Sequence, residues 1–309
     1  MQDGVRVDPV GYGGWLNCYR LSNGLLDLIV TTDVGPRVIR LGFVGAENEF
    51  HEYAEALGKT GGDEWRNYGG HRLWHAPEVA PRTYHPDNEP VQWEEHASFV
   101  RVIQATDTTA CIRKELDIRL WPHDPQVQVT HRLRNENPWA VELAPWALSV
   151  MAPGGTAILP LPPRGTHEEF LLPTNTITLW AYTDMSDPRF HWGRKYVLAR
   201  QDAQAKSQQK VGLWAPDGWA AYARNSHLFV VTFEPLPAAR YPDLGCCLET
   251  WIDAEMLELE TLGPLTRLEP GAAVEHVEHW RLFDGVGRPE SDEDVDQAVL
   301  PRVRGIRRG

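Results

Sequence analysis

Cysteine is scarce in this 309-residue chain, which has four: Cys18, Cys111, Cys246 and Cys247. Their spacing matches no zinc-binding pattern, and the adjacent Cys246 and Cys247 would point to opposite faces of a strand. We therefore expect reduced thiols, as in a cytoplasmic protein, and neither a metal centre nor a cofactor.

Positive charge and long apolar runs are also lacking. Lys and Arg number 30 against 43 Asp and Glu, which gives a formal net charge of −13. Nucleic acids and anionic membrane surfaces both require a basic face, so neither is expected as a partner. The chain opens with no charged-then-apolar leader, and no apolar stretch reaches about 18 residues. These features predict a cytoplasmic protein that does not span a membrane; they leave the number of subunits open.

Helical periodicity is rare, whereas short alternating or apolar runs separated by Gly and Pro turns occur throughout. Residues 126–133 are typical, because Val127, Val129, His131 and Leu133 fall on one side of an extended chain. Only two short segments predict helices, 52–57 and 291–300. The pattern predicts an all-β fold, one large antiparallel sandwich, in one domain over residues 1–285. Residues 286–309 are expected to form an exposed C-terminal tail with a short helix.

Tryptophan is abundant, with 13 residues. An indole ring is a favoured stacking surface for the apolar face of a sugar ring. Core packing is the alternative use, and we expect it for more than half of the thirteen.

The segment Tyr-Gly-Gly-His-Arg-Leu-Trp-His-Ala-Pro-Glu, residues 68–78, concentrates chemically active side chains behind two glycines. In an extended chain His71 and His75 share one face, while Arg72 and Trp74 share the other. These residues and Glu78 are candidates for a binding site. The alternative is a buried ion pair at Arg72 with hydrogen-bonded core histidines. A metal site at His71 and His75 is weaker, because no third ligand follows at a recognisable spacing.

Two further segments carry carboxylates and an indole. Glu258 and Glu260 fall on the same face of a predicted strand, where neighbouring carboxylates raise at least one pKa, which suits a general acid or base. The alternative is the solvated face of an edge strand. Trp146 lies in an apolar strand after an Asn-rich turn, either in the core or at the floor of a sugar site.

Together, these segments resemble the galactose mutarotase-like superfamily, which includes the aldose-1-epimerases. The resemblance covers roughly residues 20–285 and rests on three ordered elements. They are an early Gly-Pro-Arg-Val-Ile-Arg-Leu strand, the Gly-Gly-His-Arg-Leu-Trp element at 69–74, and a closing Leu-Glu-Pro-Gly turn at 268–271. This last turn follows Leu-Glu-Leu-Glu-Thr-Leu-Gly-Pro at 257–264. In the sequence and order of these motifs, the chain is most similar to uncharacterised members. The resemblance implies the antiparallel supersandwich fold of this superfamily.

For an epimerase, the resemblance implies a glutamate that takes the proton of the anomeric hydroxyl and a histidine that protonates the ring oxygen. The glutamate pattern, an apolar residue before Glu and Thr after it, occurs at Glu260 and at Glu249. We prefer Glu260, because its strand leads into the closing turn. Trp146 stands where the histidine is expected, and an indole cannot deliver a proton. His71 or His75 would then replace that acid, or the activity is absent.

The leading expectation is a carbohydrate-binding enzyme of the epimerase type, whose ligand is a sugar or short glycan. Glu260 is its base and His71 its acid, with Glu258 and Glu249 as further catalytic candidates. The expected substrate-binding residues are Arg72, Trp74, His75, Glu78 and Trp146. A non-catalytic carbohydrate-binding module is one rival. The other is a lyase or hydrolase acting on a uronate-containing glycan, whose carboxylate Arg72 would pair.

Overall fold

A computed structural model of the chain describes residues 4–306. The first three and the last three residues, which include Arg307 and Arg308 of the predicted tail, lie outside this range. The described part contains these strands: β1 Arg6–Tyr12, β2 Trp15–Ser22, β3 Leu26–Thr31, β4 Arg37–Phe43, β5 His71–Ala76, β6 Gln92–Glu95, β7 Val100–Ile103, β8 Ile112–Leu120, β9 Gln126–Asn135, β10 Val141–Met151, β11 Thr156–Pro160, β12 Ile177–Leu179, β13 Phe190–Trp192, β14 Tyr196–Arg200, β15 Gln209–Leu213, β16 Trp219–Arg224, β17 His227–Thr232, β18 Leu248–Ile252, β19 Leu257–Leu262, β20 Thr266–Leu268 and β21 Ala273–Asp284.

The strands form two antiparallel sheets. The first has eleven strands in the order β1-β2-β3-β4-β5-β10-β19-β18-β15-β12, with β20 paired to β10 off this path. The second has ten, in the order β13-β14-β11-β16-β17-β21-β9-β8-β7-β6. The predicted all-β antiparallel sandwich is confirmed.

The inward faces of both sheets share one hydrophobic core. Leu73 and Leu259 enter it from the first sheet, and Val127 and Val129 enter it from the second. Because side chains alternate along a strand, the other face of each sheet is left for a different use. The first sheet carries a separate outer cluster, which contains Trp74 and Trp146.

The C-terminal tail corrects an expectation. Its predicted helix is present: α1 (Asp292–Asp294) begins at the N-cap Ser291, continues as a π-helix over Val295–Val299 and ends as α2 (Leu300–Arg304). The segment is docked, however, and not exposed as a whole. Val295 and Val299 are fully buried, and they pack with Leu198 and Val230 on the outer face of the second sheet. A small number of apolar residues at helical spacing is enough to dock it, although charged residues dominate its composition.

The other predicted helix, at 52–57, is wrong. Glu52 makes an isolated bridge to Gly69, and the chain then turns at Tyr53, whose carbonyl accepts from the N–H groups of Ala56 and Leu57. Within residues 4–306, no helix has the length and apolar character that crossing a membrane requires.

Candidate functional site

A cavity of about 470 Å³ opens on the outer face of the eleven-stranded sheet. Its wall is mostly aromatic and includes five of the thirteen tryptophans. The aromatic lining residues are Tyr53, Trp65, Trp74, Tyr84, Trp146, Trp180, Tyr182 and Trp251. The charged lining residues are Arg72, Glu78, Lys210 and Glu258.

Strand alternation and register bring these side chains together. Directly opposed residues on antiparallel strands point to the same face. Trp74 of β5 lies opposite Trp146 of β10. Further along the sheet, Glu258 of β19 lies opposite Trp251 of β18, which in turn lies opposite Lys210 of β15. Glu258 and Lys210 are therefore two strands apart, roughly 10 Å between their backbones, and Trp251 lies between them.

Arg72 and Glu258 form an ion pair in the cavity wall. Arg72 Nη2 donates to Glu258 Oε1 at 2.8 Å, and both residues are buried. The guanidinium also lies over the Trp74 ring, 4.6 Å from its centroid. Arg72 Nε and Nη1 are buried and have no hydrogen-bond partner among the described residues. Glu258 thus balances the charge of Arg72, and the two unpaired donor atoms lie below the surface of the cavity wall.

Lys210 is shared by two buried carboxyl groups. Its Nζ lies 3.0 Å from Glu260 Oε2 and 2.9 Å from Glu249 Oε2, and both glutamates are fully buried. Trp146 Nε1 donates to the same Glu260 oxygen at 2.8 Å. The ammonium lies between two indole rings, 4.6 Å from the centroid of Trp146 and 4.8 Å from that of Trp180. We refer to Lys210, Glu249 and Glu260 as the buried triad.

Burial and charge act against each other in the buried triad. Burial raises the pKa of Glu249 and of Glu260 above the usual glutamate range, although Lys210 pulls both back. Burial disfavours the charge of Lys210, but the two carboxylates outweigh it and raise its pKa well above the usual value. The lysine therefore stays charged, and a proton remains on the carboxyl pair at pH values where an exposed glutamate has lost it.

Glu78 lies on the rim of the cavity. It is exposed, and the hydroxyl of Tyr84 donates to its Oε1. Both residues belong to the loop between β5 and β6, which walls the cavity on one side.

Comparisons with protein-family models and with curated proteins give no match. Among solved structures, a provisionally assigned aldose 1-epimerase from Klebsiella pneumoniae aligns with a TM-score of 0.59 at 12% identity, over 97% of this chain and 87% of that one. A galactose mutarotase-like protein from Lactobacillus casei aligns with a TM-score of 0.55 at 10% identity, over 86% of this chain and all of that one. The chain has the galactose mutarotase-like fold.

A TPR-domain containing protein from Parabacteroides distasonis aligns as well, with a TM-score of 0.57 at 13% identity. The match covers 89% of this chain but 49% of that one, so this chain spans about half the length of that protein. The likenesses confirm the fold that the ordered sequence elements indicate. Activity has to be argued from the site itself.

Within this galactose mutarotase-like fold, the outward residues of the predicted set lie in or directly behind the cavity. Arg72, Trp74, Glu78, Trp146 and Glu258 line it. Glu249 and Glu260 do not, because they lie behind Lys210 with no exposed surface. The choice of Glu260 rather than Glu249 as the base therefore meets the same obstacle for both residues, because neither has surface in the cavity, whereas Glu258 lines it.

His71 is also corrected, because it points to the opposite side of the sheet. Its ring is fully buried in the core, where Nδ1 lies 2.9 Å from Ser149 Oγ and Nε2 lies 2.6 Å from His131 Nε2. Burial lowers its pKa well below the usual histidine value. It cannot reach a ligand in the outer cavity, so it is not the acid of this site.

The inner histidines form a neutral hydrogen-bonded chain. His131 Nδ1 donates to the carbonyl of His276 at 2.9 Å, so its Nε2 accepts from His71 and His71 Nδ1 accepts from Ser149. His71, His131 and Glu278 are the one set of three potential metal ligands found in residues 4–306. The two rings meet head to head, with centroids 4.9 Å apart and nitrogens 2.6 Å apart. Their nitrogens point at each other and not at a shared third position, which is the geometry of an N–H···N hydrogen bond.

His75 is buried on the inner side as well. It lines a smaller cavity of about 200 Å³ with Arg82 and Trp139, outside the lining of the aromatic cavity. Its assignment to substrate binding in the aromatic cavity is therefore wrong. The reason is the same as for His71: alternation along β5 turns both histidines away from the cavity.

Sequence reasoning missed Lys210 and most of the aromatic wall. Trp251 carried a usable signal, because it stands two residues after Glu249 on a predicted strand and so shares its outward face. Lys210 begins the apolar run of β15 and gave only the weak signal of a cation at the start of a buried strand. Trp65, Trp180 and Tyr182 come from loops, whose path the period-two pattern does not describe.

Proposed function

We propose that the aromatic cavity binds a sugar ring and interconverts its anomers, with Glu258 as the base. The observation that carries the proposal is the placement of the Glu258 carboxylate and the Lys210 ammonium on opposite sides of Trp251 in one aromatic-walled cavity. The names of the structural neighbours, galactose mutarotase-like protein and provisionally assigned aldose 1-epimerase, agree with this chemistry.

The cavity suits a sugar in size and in surface chemistry. Its volume of about 470 Å³ falls in the range of small-molecule sites, roughly 300–1,000 Å³. The partly exposed indoles of Trp65, Trp180 and Trp251 offer apolar surface for one side of a pyranose, and the buried Trp74 and Trp146 lie beneath Arg72 and Lys210. Polar groups of the wall, among them Glu78, Lys210 and Glu258, can hydrogen-bond to sugar hydroxyls.

Glu258 is the carboxylate best placed to act as base. It lines the cavity, whereas Glu260 and Glu249 are covered by Lys210 and have no exposed surface. In the proposed reaction, Glu258 takes the proton of the anomeric hydroxyl. The bond between the anomeric carbon and the ring oxygen breaks, the ring oxygen takes up a proton, and the carbonyl rotates before the ring closes on its other face.

The ion pair of Arg72 favours a neutral sugar over a uronate. A uronate carboxylate would have to compete with Glu258, which already lies 2.8 Å from Arg72 Nη2. The four charged lining residues are two cations and two carboxylates, so the wall has no excess of positive charge to attract an anionic ligand.

Two measurements test the proposal. Calorimetric titration with glucose, galactose, mannose and xylose, together with their 6-phosphates where these exist, should give binding of at least one sugar. Two-dimensional NMR exchange should then show faster interconversion of its anomers in the presence of the protein. Glu258→Gln keeps the shape of the side chain and should lower the exchange rate by about 10²-fold or more, with affinity retained.

The matched control is Glu255→Gln, an exposed glutamate three residues away in the β18–β19 turn, which should leave the exchange rate unchanged. Binding without accelerated exchange would make the protein a carbohydrate-binding module. If no sugar binds at millimolar concentration, the carbohydrate assignment is overturned.

A further inference from the structure

Opening a cyclic hemiacetal requires a proton donor at the ring oxygen as well as a base at the anomeric hydroxyl. With Glu258 as the base, the donor has to be another polar group of the cavity wall. We propose that Lys210 delivers this proton and that Glu260 and Glu249 resupply it, so that the buried triad acts as a proton relay. This inference rests on the proposed function.

The geometry leaves one N–H of Lys210 for a ligand. An ammonium group has three donors and no acceptor. Two lie within reach of Glu260 and Glu249, at 3.0 and 2.9 Å, and the group itself forms part of the cavity wall between Trp146 and Trp180. Nζ donates a hydrogen bond to Glu260 and forms an ion pair with Glu249, both behind the wall, so an N–H remains for a ligand on the cavity side.

The proton balance closes over the triad, Glu258 and the sugar. Nζ gives a proton to the ring oxygen as the bond from that oxygen to the anomeric carbon breaks, and Glu258 takes the proton of the anomeric hydroxyl as the carbonyl forms. A carboxyl proton of Glu260 or Glu249 then moves to Nζ and restores the ammonium. Ring closure on the other face runs the same steps in reverse, so no co-reactant is consumed.

The relay also explains how a strongly basic lysine can act as an acid. An isolated ammonium is a weak acid at neutral pH, and here its pKa is raised further. After the transfer, however, the triad holds an ammonium and two carboxylates, so the proton that leaves is in effect a carboxyl proton. Burial raises the pKa of both carboxyls and keeps that proton available. Other charged or titratable groups act on the triad from neighbouring elements: Glu258, Asp243, Tyr84 and Tyr182.

The other polar groups of the wall are poorer donors. The guanidinium of Arg72 does not release a proton under physiological conditions. Burial, the largest cause, raises the pKa of Tyr84 and of Tyr182, so both hydroxyls hold their protons more tightly. The Tyr84 hydroxyl also already donates to Glu78.

Anomer exchange by NMR, with the sugar that binds wild type and across pH 5 to 9, tests the relay on the full chain. Lys210→Met removes the donor, and Lys210→Arg keeps a cation that cannot pass its proton on. Both should lower kcat by about 10²-fold or more, with the Kd for the sugar within about threefold of wild type. The control is Lys206→Met, an exposed lysine four residues earlier, which should leave kcat unchanged. Retention of more than a tenth of wild-type kcat by Lys210→Arg overturns the relay, because positive charge alone would then suffice.

The glutamates give a second readout. For wild type, kcat should fall as pH rises past the point where the triad loses its carboxyl proton. Glu249→Gln/Glu260→Gln removes that proton and also the carboxylates that offset the burial of Lys210. The kcat should therefore drop, and its alkaline limb should move because it is then set by Lys210 alone, whose pKa burial lowers. An unchanged limb overturns the relay.

Lys210→Met leaves two buried carboxyls without a cation. The triple variant Lys210→Met/Glu249→Gln/Glu260→Gln removes all three charges at similar volume and keeps the test valid if the single variant fails to fold. Wild type that binds sugar without exchanging anomers overturns both the relay and the epimerase proposal. If wild type exchanges anomers and the Lys210 variants remain active, the relay is overturned and the epimerase proposal stands.

Discussion

Asp292 caps the backbone at Arg194. Its Oδ2 accepts from the N–H groups of Arg194 and Lys195 at 2.8 and 3.0 Å, and thereby joins the first turn of the C-terminal helix to the β13–β14 turn. Lys195 also donates to Asp296 at 2.5 Å. These polar contacts fix the position of a segment whose valines are buried against the second sheet.

Removal of this segment should destabilise the protein. Truncation after Gly285 exposes the patch that Val295 and Val299 cover, and the melting temperature should fall by more than about 5 °C. Val295→Asp should cause a comparable loss in the full chain, because it places a charge at a fully buried position. Glu293→Gln on the exposed side of the helix is the control. A truncated protein that melts at the wild-type temperature would show that the docking contributes nothing.

Replacing one partner of the Arg72–Glu258 ion pair should destabilise the protein more than replacing both partners. Arg72→Met leaves the Glu258 carboxylate buried without its cation, and we expect a loss of about 3–5 kcal/mol in the free energy of unfolding. Arg72→Met/Glu258→Leu should be less destabilised than Arg72→Met alone, because no unpaired charge remains. Urea unfolding of wild type, both single variants and the double variant completes the cycle. Additive effects would contradict the coupling.

Glu278 should make stability depend on pH. Burial raises its pKa to about 7, so the folded state holds this proton more tightly than the unfolded state, whose value is near 4.5. The stabilising contribution of Glu278 to the free energy of unfolding is therefore fully present below about pH 4.5. It is lost as pH rises through about 7, by about 3 kcal/mol in all. Glu278→Gln removes this dependence, so the variant should gain stability relative to wild type between pH 5 and pH 8.

Urea unfolding at several pH values measures this difference. Glu255→Gln removes an exposed carboxyl and serves as the control. A constant difference between wild type and Glu278→Gln over this range would show that Glu278 is not held protonated.

The thiols should differ sharply in reactivity. Cys18, Cys246 and Cys247 are buried, and burial raises the pKa of Cys18 to about 11 and of the other two to about 12. Cys111 is partly exposed. A thiol reagent at pH 8 should label one thiol per chain in the folded protein and four after denaturation. Cys111→Ser should abolish the labelling of the folded protein. Rapid labelling of Cys246 in the native state would contradict the burial.

Much of the fold was predictable, because each strand carries its own period-two pattern. The same pattern places Arg72 and Trp74 on one face of β5 and His71 and His75 on the other. It does not say which of the two faces becomes the core. Sequence reasoning therefore assigned His71 to the site, whereas the structure places it in the core beside His131, 60 residues away along the chain.

The rest of the site depends on long-range pairing. Lys210 reaches Glu260 only because β15, β18 and β19 are neighbours in the first sheet, a relation that no local pattern expresses. The prediction of an exposed tail failed for a different reason. Its charged composition suggested exposure, but its docking is set by Val295 and Val299 at helical spacing, which average composition hides.

The alternation of β19, with Glu258 and Glu260 outward and Leu257 and Leu259 inward, has an evolutionary consequence. Five adjacent strands direct alternate residues toward the cavity side of the sheet and the residues between them toward the core. Single substitutions at outward positions can therefore alter which ligand is recognised, while the inward positions that hold the sandwich together stay the same. Such a scaffold lets ligand preference diverge in small steps, without a compensating repair of the interior at each one.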